Sequence, residues 1–359
     1  MGADRRGDER EAVVVSPVLP PWLQAPLAEA LQALRGHATL VHGPSGVGQF
    51  DFAFALARAW LCEAPVSGQA CGDCTGCHLM QSHTHPDFCL LLPQALAEAL
   101  GWSAEEEAPR DGERKKAKPS RELKVEAVRD AIAWSQKTSS RGRGKVIVIH
   151  PADAMNAISA NALLKTLEEP PKGVRLLLST ADPELLLPTI RSRCQRWALA
   201  LPPAEQGLAW LREQGLGGAE VLLAAAGGRP LDAVALAADG VGADQWAAIP
   251  GAVAAGDAGP LAGWPVPRAV DALQKLCHDA MRIAVGGEAR FYPAGSLPEG
   301  AQLGALNDWS KSLSRVARHD EHPWNANLLI EALVIEGSRA WAGLRKPPAA
   351  KRLATLEPR

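Results

Sequence analysis

The chain has 359 residues, of which 47% are hydrophobic and 22% charged, and its formal net charge is −2. This length exceeds the roughly 250 residues that one hydrophobic core fills, so we expect more than one domain. A net charge so close to zero argues against a uniformly basic nucleic-acid binder. We also expect a cytoplasmic protein without membrane spans, because no uncharged apolar run approaches about 18 residues and the N-terminus lacks a cleavable apolar leader.

Five short apolar runs in the first 200 residues have the composition of strands that are buried on both faces. They cover residues 38–43, 87–93, 145–150, 174–180 and 194–200. Helical patterns separate them, at 49–61, 124–137 and 156–169, and Pro170 and Pro171 stop the last of these. Strand and helix in alternation predict an α/β domain with a parallel sheet, which we place at residues 1–201.

The first strand run is followed by VHGPSGVGQF, which has the glycine spacing of the phosphate loop Gly-x-x-x-x-Gly-Lys-Ser/Thr. Gly43, Gly46 and Gly48 lie between a strand and a helix, which is the setting of a true phosphate loop. However, Gln49 replaces the lysine that reaches the phosphates, and Phe50 replaces the hydroxyl that binds magnesium. Taken alone, the stretch fits an ordinary glycine-rich turn as well as a phosphate loop that has lost its chemistry.

Four cysteines come after the next helical pattern, with Cys62 followed by a Cys-x-x-Cys-x-x-Cys run through Cys71, Cys74 and Cys77. In a reducing compartment, clustered cysteines bind metal or do redox chemistry more often than they form disulfides. Four thiolates fill a tetrahedral zinc site, so we expect a structural zinc in a module at about 62–77. A redox pair and an iron–sulfur site stay open, although a ferredoxin spacing would need a cysteine where Gln81 stands.

Three histidines follow the cysteines, and each could replace a sulfur as a metal ligand. They are His78, His83 and His85. We expect them to be loop residues, because four cysteines already satisfy the ion, and we expect Cys89 in the core because it lies in an apolar run. The segment 105–121 has the composition of a solvated loop, and attraction of DNA by its basic residues is the alternative.

The third strand run ends at His150 and Pro151, where an active ATPase of this type carries an acidic pair that orients metal and water. Loss of the loop lysine alone removes a substantial attraction for the phosphates, since a unit charge pair near 4 Å contributes about 4 kcal/mol at an effective dielectric of 20. Gln49, Phe50 and the missing acidic pair are losses in separate parts of one site. We therefore expect no ATP hydrolysis by this chain.

After residue 203 the strand runs stop and the sequence becomes rich in Ala and Leu at helical spacing. The Gly/Pro/Ala-rich stretch 240–267 has the composition of a connection between two helical domains. The predicted bounds are a small helical lid domain at 202–245, a larger C-terminal helical domain at 262–345 and a loose tail at 346–359.

Two segments, KVIVIHPADAMNAISANALLKTLEEPP and RLLLSTADPELLLPTIRSRCQRWAL, resemble subunits of the bacterial DNA polymerase III clamp loader, which belongs to the AAA+ superfamily. NALLKTLEEPP and TIRSRC are hallmarks of that family, and the cysteine spacing matches its zinc module. The family's hydrolysing subunits keep the phosphate loop and the acidic pair, whereas its delta-prime subunits keep Ser-Arg-Cys beside a decayed site. The sequence is similar to the delta-prime pattern over about residues 15–235.

This resemblance implies that Arg193, between Ser192 and Cys194, is an arginine finger that reaches the ATP of a neighbouring subunit. Fingers of this kind contribute about 10³ to 10⁵ in rate. It further implies a non-hydrolysing stator in a hetero-oligomeric ring with the gamma or tau ATPase subunits and delta. Such a ring loads the sliding clamp onto primed DNA, and the C-terminal helices would join its collar. Arg191 is the weaker candidate for the finger.

Two other functions compete with this interpretation. An active AAA+ ATPase is disfavoured by Gln49, Phe50, His150 and Pro151. A zinc-dependent DNA-binding regulator that acts alone would need a helix with base-reading residues beside the cysteines, and no such helix is evident in the sequence. At the scale of one residue, an Arg193 that only pairs with a nearby acidic side chain is the alternative to a finger.

Overall fold

The computed structural model describes residues 19–102, 119–318 and 325–344. The chain divides into two compact units, Met1–Gln206 and Gly207–Arg359. Most of the predicted loop at 105–121 and all of the predicted tail at 346–359 lie outside the described residues. The first unit is an α/β sandwich and the second is helical.

The described residues of the first unit form five strands, all of them paired in parallel. They are β1 Ala38–His42, β2 Phe88–Leu91, β3 Lys145–Ile149, β4 Val174–Thr180 and β5 Gln195–Ala198. Their order across the sheet is β2-β3-β4-β1-β5. The three central strands are buried along almost their whole length, as expected of a sheet covered on both faces. The predicted parallel α/β sheet is thus confirmed.

Seven α-helices between residues 19 and 191 lie around this sheet in the described part of the first unit. They are α1 Pro21–Ala33, α2 Gln49–Leu61, α3 Thr75–Gln81, α4 Gln94–Ala99, α5 Val125–Ser135, α6 Ala157–Glu168 and α7 Pro188–Arg191. Helix α6 begins where the Asn156 side chain accepts a hydrogen bond from the Ser159 N–H at 3.0 Å, which is a typical N-cap. It ends just before Pro170, which cannot continue a helix. Helices α3 and α4 lie in segments where the sequence patterns predicted none.

The strand order brings the two predicted parts of the nucleotide site, and the end of β4 between them, to one edge of the sheet. Strand β4 lies between β1 and β3, so the carboxyl ends of these three strands are neighbours. Strand β1 runs into the glycine-rich loop, β3 into His150, and β4 ends at Ser179 and Thr180. Ligands of open α/β sheets bind outside the carboxyl ends of the strands.

The second half of the chain is helical in its described residues. Its helices are α8 Ala204–Glu213, α9 Ala219–Ala225, α10 Pro230–Ala238, α11 Ala243–Ala255, α12 Val266–Ala284, α13 Leu303–Ala317 and α14 Ala326–Ser338. One large core joins α11 to α14 and buries Trp246, Leu273 and Trp309 completely. No single helix among those described is long and apolar enough to cross a membrane, and only α9 with α10 reaches that length and composition, as a pair bent by 106°.

The predicted connection at 240–267 is wrong in one respect, because residues Ala243–Ala255 form helix α11. Trp246, Ile249 and Val253 of this helix are almost fully buried in the C-terminal core. Their spacing of three and four residues is a helical stripe, which the glycine, proline and alanine content of the stretch concealed. Pro250 lies inside the helix and does not end it. The division into a lid at 202–245 and a separate domain at 262–345 stays a prediction.

Candidate functional site

The glycine-rich loop between β1 and α2 has the backbone of a tight, left-handed turn. Gly46 has a φ of 68° and Gly48 a φ of 96°, a region that glycine enters without strain. At Gly43, a Cβ atom would lie 2.4 Å from the Leu199 carbonyl oxygen. No side chain fits at that distance, so all three glycines singled out in the sequence are needed for the path of this loop.

The side chain of Gln49 turns back into the loop. Its amide nitrogen donates hydrogen bonds to the carbonyl oxygens of Gly43 and Pro44, both at 2.6 Å, and the residue is only 6% exposed. A glutamine amide has two N–H donors, and both are engaged here. The residue at the lysine position therefore offers neither a charge nor a free donor to a phosphate.

Phe50 and His150 fill the two positions where magnesium would be held. Their ring centroids are 5.2 Å apart, and the Phe50 ring also meets Trp102. Burial lowers the pKa of His150 to about 4, so its imidazole is neutral near pH 7, and its Nδ1 lies 2.9 Å from the Ser179 hydroxyl. Magnesium prefers oxygen ligands, whereas these two positions provide an aromatic contact.

A hydrogen bond that the sequence did not predict joins the end of β4 to the segment after His150. The Thr180 hydroxyl donates to the Asp153 carboxylate and accepts from the Asp182 N–H at 3.1 Å. Asp153 follows His150 by three residues, outside the position at which a nucleotide site carries its acidic pair. Its carboxylate is occupied with Thr180.

The four predicted cysteines come together at the end of α2 and the start of α3. All four sulfur atoms lie within 4.8 Å of one another. The distance from Cys62 Sγ is 3.5 Å to Cys71 Sγ and 3.8 Å to Cys74 Sγ, and Cys71 and Cys77 are 4.0 Å apart. Four sulfurs at 2.3 Å from one zinc would be about 3.8 Å apart. The cluster thus has the dimensions of a tetrahedral metal site.

Backbone amides around the cluster point at the sulfur atoms. The N–H groups of Glu63 and Cys77 both lie 3.4 Å from Cys74 Sγ. Against the opposing effect of burial, these amides lower the pKa of Cys74 to about 6. Because the thiolate is the form that binds metal, the fold favours the liganding state at Cys74. The four residues could hold one metal ion.

The histidines near the cysteines have other contacts. His83 stacks on Trp102 with ring centroids 3.5 Å apart, and the Nδ1 of buried His85 accepts the Asp87 N–H at 3.1 Å. In the part of the chain that the structure describes, the metal-size cluster contains the four cysteines and no histidine. Cys89 lies in the predicted strand, β2, but it is half-buried and packs against the core rather than inside it; burial raises its pKa to about 11.

Arg193 lies two residues beyond helix α7, and about a third of its side chain is exposed. Its guanidinium pairs with Glu168, the last residue of α6, with Nε 2.8 Å from Oε1. Of its motif neighbours, Ser192 is exposed, whereas Cys194 is buried and burial raises its pKa to about 12. Arg191 pairs instead with Glu184.

Known proteins match this chain along most of its length. The family described as DNA polymerase III, delta subunit, matches residues 25–203. The delta-prime subunit of DNA polymerase III from Pseudomonas aeruginosa is 32% identical over 353 residues, which is 91% of this chain and 98% of that protein. This chain belongs to the delta-prime family of DNA polymerase III subunits. The resemblance drawn from the motifs is thereby confirmed.

Other matches cover a smaller part of the chain or have lower sequence identity. The delta-prime subunit of Escherichia coli is 36% identical over 223 residues, 60% of each chain. The tau subunit of the same species is 34% identical over 170 residues, 47% of this chain and 22% of tau. A solved gamma subunit-related protein of Thermotoga maritima covers 88% of this chain at 13% sequence identity, with a TM-score of 0.44. The family assignment does not rest on that structure.

Proposed function

We propose that this delta-prime family member is a non-hydrolysing clamp-loader subunit that supplies Arg193 to an ATP site on a neighbouring subunit. The observation that carries the proposal is the state of its own phosphate loop. Both donors of Gln49 are used within the loop, and Phe50 packs on neutral His150. A site without the lysine, the hydroxyl and the acidic pair lacks the parts that phosphoryl transfer needs.

Arg193 supports a role toward another chain's nucleotide. Its guanidinium is partly exposed, and arginine is always charged and matches phosphate geometry with a fixed set of donors. The charge that develops on a transferred phosphoryl group is what such an arginine stabilises. The chain therefore keeps the residue that acts on a neighbour's ATP, while it lacks those that act on its own.

The proposed partners follow from the family. Proteins similar to this chain include delta-prime and tau subunits of DNA polymerase III. We place this chain in a hetero-oligomeric ring with gamma or tau ATPase subunits and delta, in which it acts as a stator. The C-terminal helices would form its part of the collar, and the ring would load the sliding clamp onto primed DNA in the cytoplasm.

Zinc is the metal that we propose for the cysteine cluster. Cys62, Cys71, Cys74 and Cys77 would fill all four tetrahedral positions, which leaves none for a reacting water. Its role would be structural, since the four ligands join the C-terminal end of α2 to the N-terminal end of α3. A bound zinc would fix the course of the intervening loop.

The test of the arginine assignment is the ATPase rate of the loader assembled with an Arg193→Ala chain. We expect the DNA-stimulated turnover at the neighbouring site to fall by about 10³-fold or more, as for other arginine fingers. Arg191→Ala is the matched control, because Arg191 is two residues away and pairs with Glu184. Unchanged turnover with Arg193→Ala, or equal losses from both variants, would contradict the assignment.

A further inference from the structure

The guanidinium of Arg193 is held on two sides by elements of its own domain. Its Nε donates to Glu168 Oε1 at 2.8 Å, and Nη2 faces the same oxygen. On the opposite side, Nη1 donates to the Thr189 carbonyl oxygen in α7 at 2.9 Å. The Ser192 hydroxyl lies 3.4 Å from Nη1 and makes a weaker contact. Arg193 is therefore fixed by the end of α6 and by the backbone of α7.

The donors that remain are those that suit a phosphate. A guanidinium has five N–H groups in a rigid plane. Glu168 takes the edge formed by Nε and Nη2, and Thr189 takes one N–H of Nη1. One N–H of Nη2 has no partner among the described residues, and the N–H of Nη1 that Thr189 does not take has only the 3.4 Å contact to the Ser192 hydroxyl. A pair of N–H donors on the two terminal nitrogens of an arginine binds a phosphate or carboxylate bidentately.

We propose that Glu168 is a positioning residue that braces Arg193 so that the terminal pair of donors faces an incoming phosphate. This inference rests on the proposed finger role of Arg193. The other possibility is a latch, in which Glu168 holds the arginine back and must release it. The contacts favour the brace, because Glu168 engages the side edge of the guanidinium and leaves its terminal edge available.

A brace has a physical advantage over a free side chain. A long arginine side chain loses rotamer freedom when it binds, and a contact that orders it beforehand removes that loss from the binding step. The carboxylate charge of Glu168 opposes a nearby phosphate, but about half of this side chain is exposed, where water screens the charge. We therefore expect the gain from orientation to exceed the electrostatic cost at this position.

The test uses the assembled loader with variants at Glu168, and it measures kcat and KM for ATP separately. We expect Glu168→Ala to lower kcat by about 10-fold or more, since a catalytic group misplaced by about 1 Å loses up to 10²-fold. Glu168→Gln keeps an oxygen acceptor and should restore kcat to within about 3-fold of the wild type. Glu169→Ala is the matched control, because Glu169 is adjacent and exposed, and it should change neither constant.

A double variant separates the brace from a general effect on folding. In a chain that already carries Arg193→Ala, Glu168→Ala should lower kcat no further, because two residues that act as one unit are not additive. A further loss in that background would overturn the brace, and so would a kcat that rises with Glu168→Ala, which is the result of a latch. If Arg193→Ala lowers kcat but Glu168→Ala does not, only the brace fails. If Arg193→Ala has no effect, the finger role fails as well.

Discussion

Gln49 stabilises the glycine-rich loop from the position at which a phosphate loop has its lysine. Its two hydrogen bonds to Gly43 and Pro44 satisfy carbonyl oxygens of the loop, and each such bond contributes about 1 kcal/mol net. The same contacts bury the amide, which would be costly without partners. Gln49 thus stabilises the turn with both of its amide N–H groups, and neither is left to donate to a phosphate.

His150 is the second residue whose chemistry differs from that of a nucleotide site, and it makes the stability of the first unit dependent on pH. Burial lowers its pKa from 6.5 to about 4 in the folded state. Between these values the unfolded chain binds more protons than the folded chain, so stability falls as the pH falls through this window. Below pH 4, His150 no longer contributes to the free energy of unfolding.

The prediction is that lowering the pH from 7 to 5 removes about 2 kcal/mol of unfolding free energy through His150. The measurement is urea denaturation of the wild type and of His150→Gln at both pH values. The variant should lose about 2 kcal/mol less than the wild type over this interval, since it lacks the titrating group. Equal losses in the two proteins would show that His150 is not the group responsible.

Among the elements, the strands were the most predictable from sequence. Each central strand is a largely apolar run because helices cover both faces of the sheet, and the predicted run at 174–180 coincides with β4. Helix α2 also has its predicted bounds, Gln49–Leu61. Helix α11 was missed because small residues and Pro250 dominate its composition, while only Trp246, Ile249 and Val253 mark its buried face.

The candidate site was predictable only where one short segment supplies all its parts. The spacing of Cys71, Cys74 and Cys77 dictates a local turn, so the cluster followed from the sequence. The pairing of Arg193 with Glu168 did not, because the two residues are 25 positions apart and meet through the packing of α6 against α7. Tertiary packing, which no local pattern records, decides such contacts.

The cysteine module yields a prediction at the scale of an element. Elemental analysis of the purified chain should find about one zinc per chain, and Cys71→Ser combined with Cys74→Ser should lose it, because two thiolates cannot close the site. Removal of the metal should also expose the segment 62–81 to proteolysis, since its turns are fixed through the ion. Cys89→Ser should keep the zinc, because Cys89 lies in β2 outside the cluster.

Two results would contradict this account of the module. One is a folded wild-type chain that contains no zinc after dialysis against the metal. The other is loss of metal from Cys89→Ser equal to that from the double variant. The first result would mean that the four sulfur atoms pack together without coordinating an ion, and the second that the metal does not depend on these four cysteines alone.

At the scale of the whole molecule, the two units contain different features. The α/β unit contains the loop, the cysteine cluster and Arg193, and the helical unit contributes a separate core built around Trp246 and Trp309. The match to a delta-prime subunit covers 91% of the chain, so it includes both units. In the proposed role, the chain acts on the ATP of a neighbour, so its effect on hydrolysis depends on assembly.

ATP turnover by the purified chain alone, set against turnover by the complete loader that contains it, tests this claim most directly. We expect no turnover above the buffer level from the chain alone, because it lacks the loop lysine, the magnesium ligand and the acidic pair. The complete loader should hydrolyse ATP on addition of primed DNA. The contradicting result is ATP turnover that co-elutes with the purified chain and persists in the Arg193→Ala variant. The hydrolysing site would then belong to this chain itself.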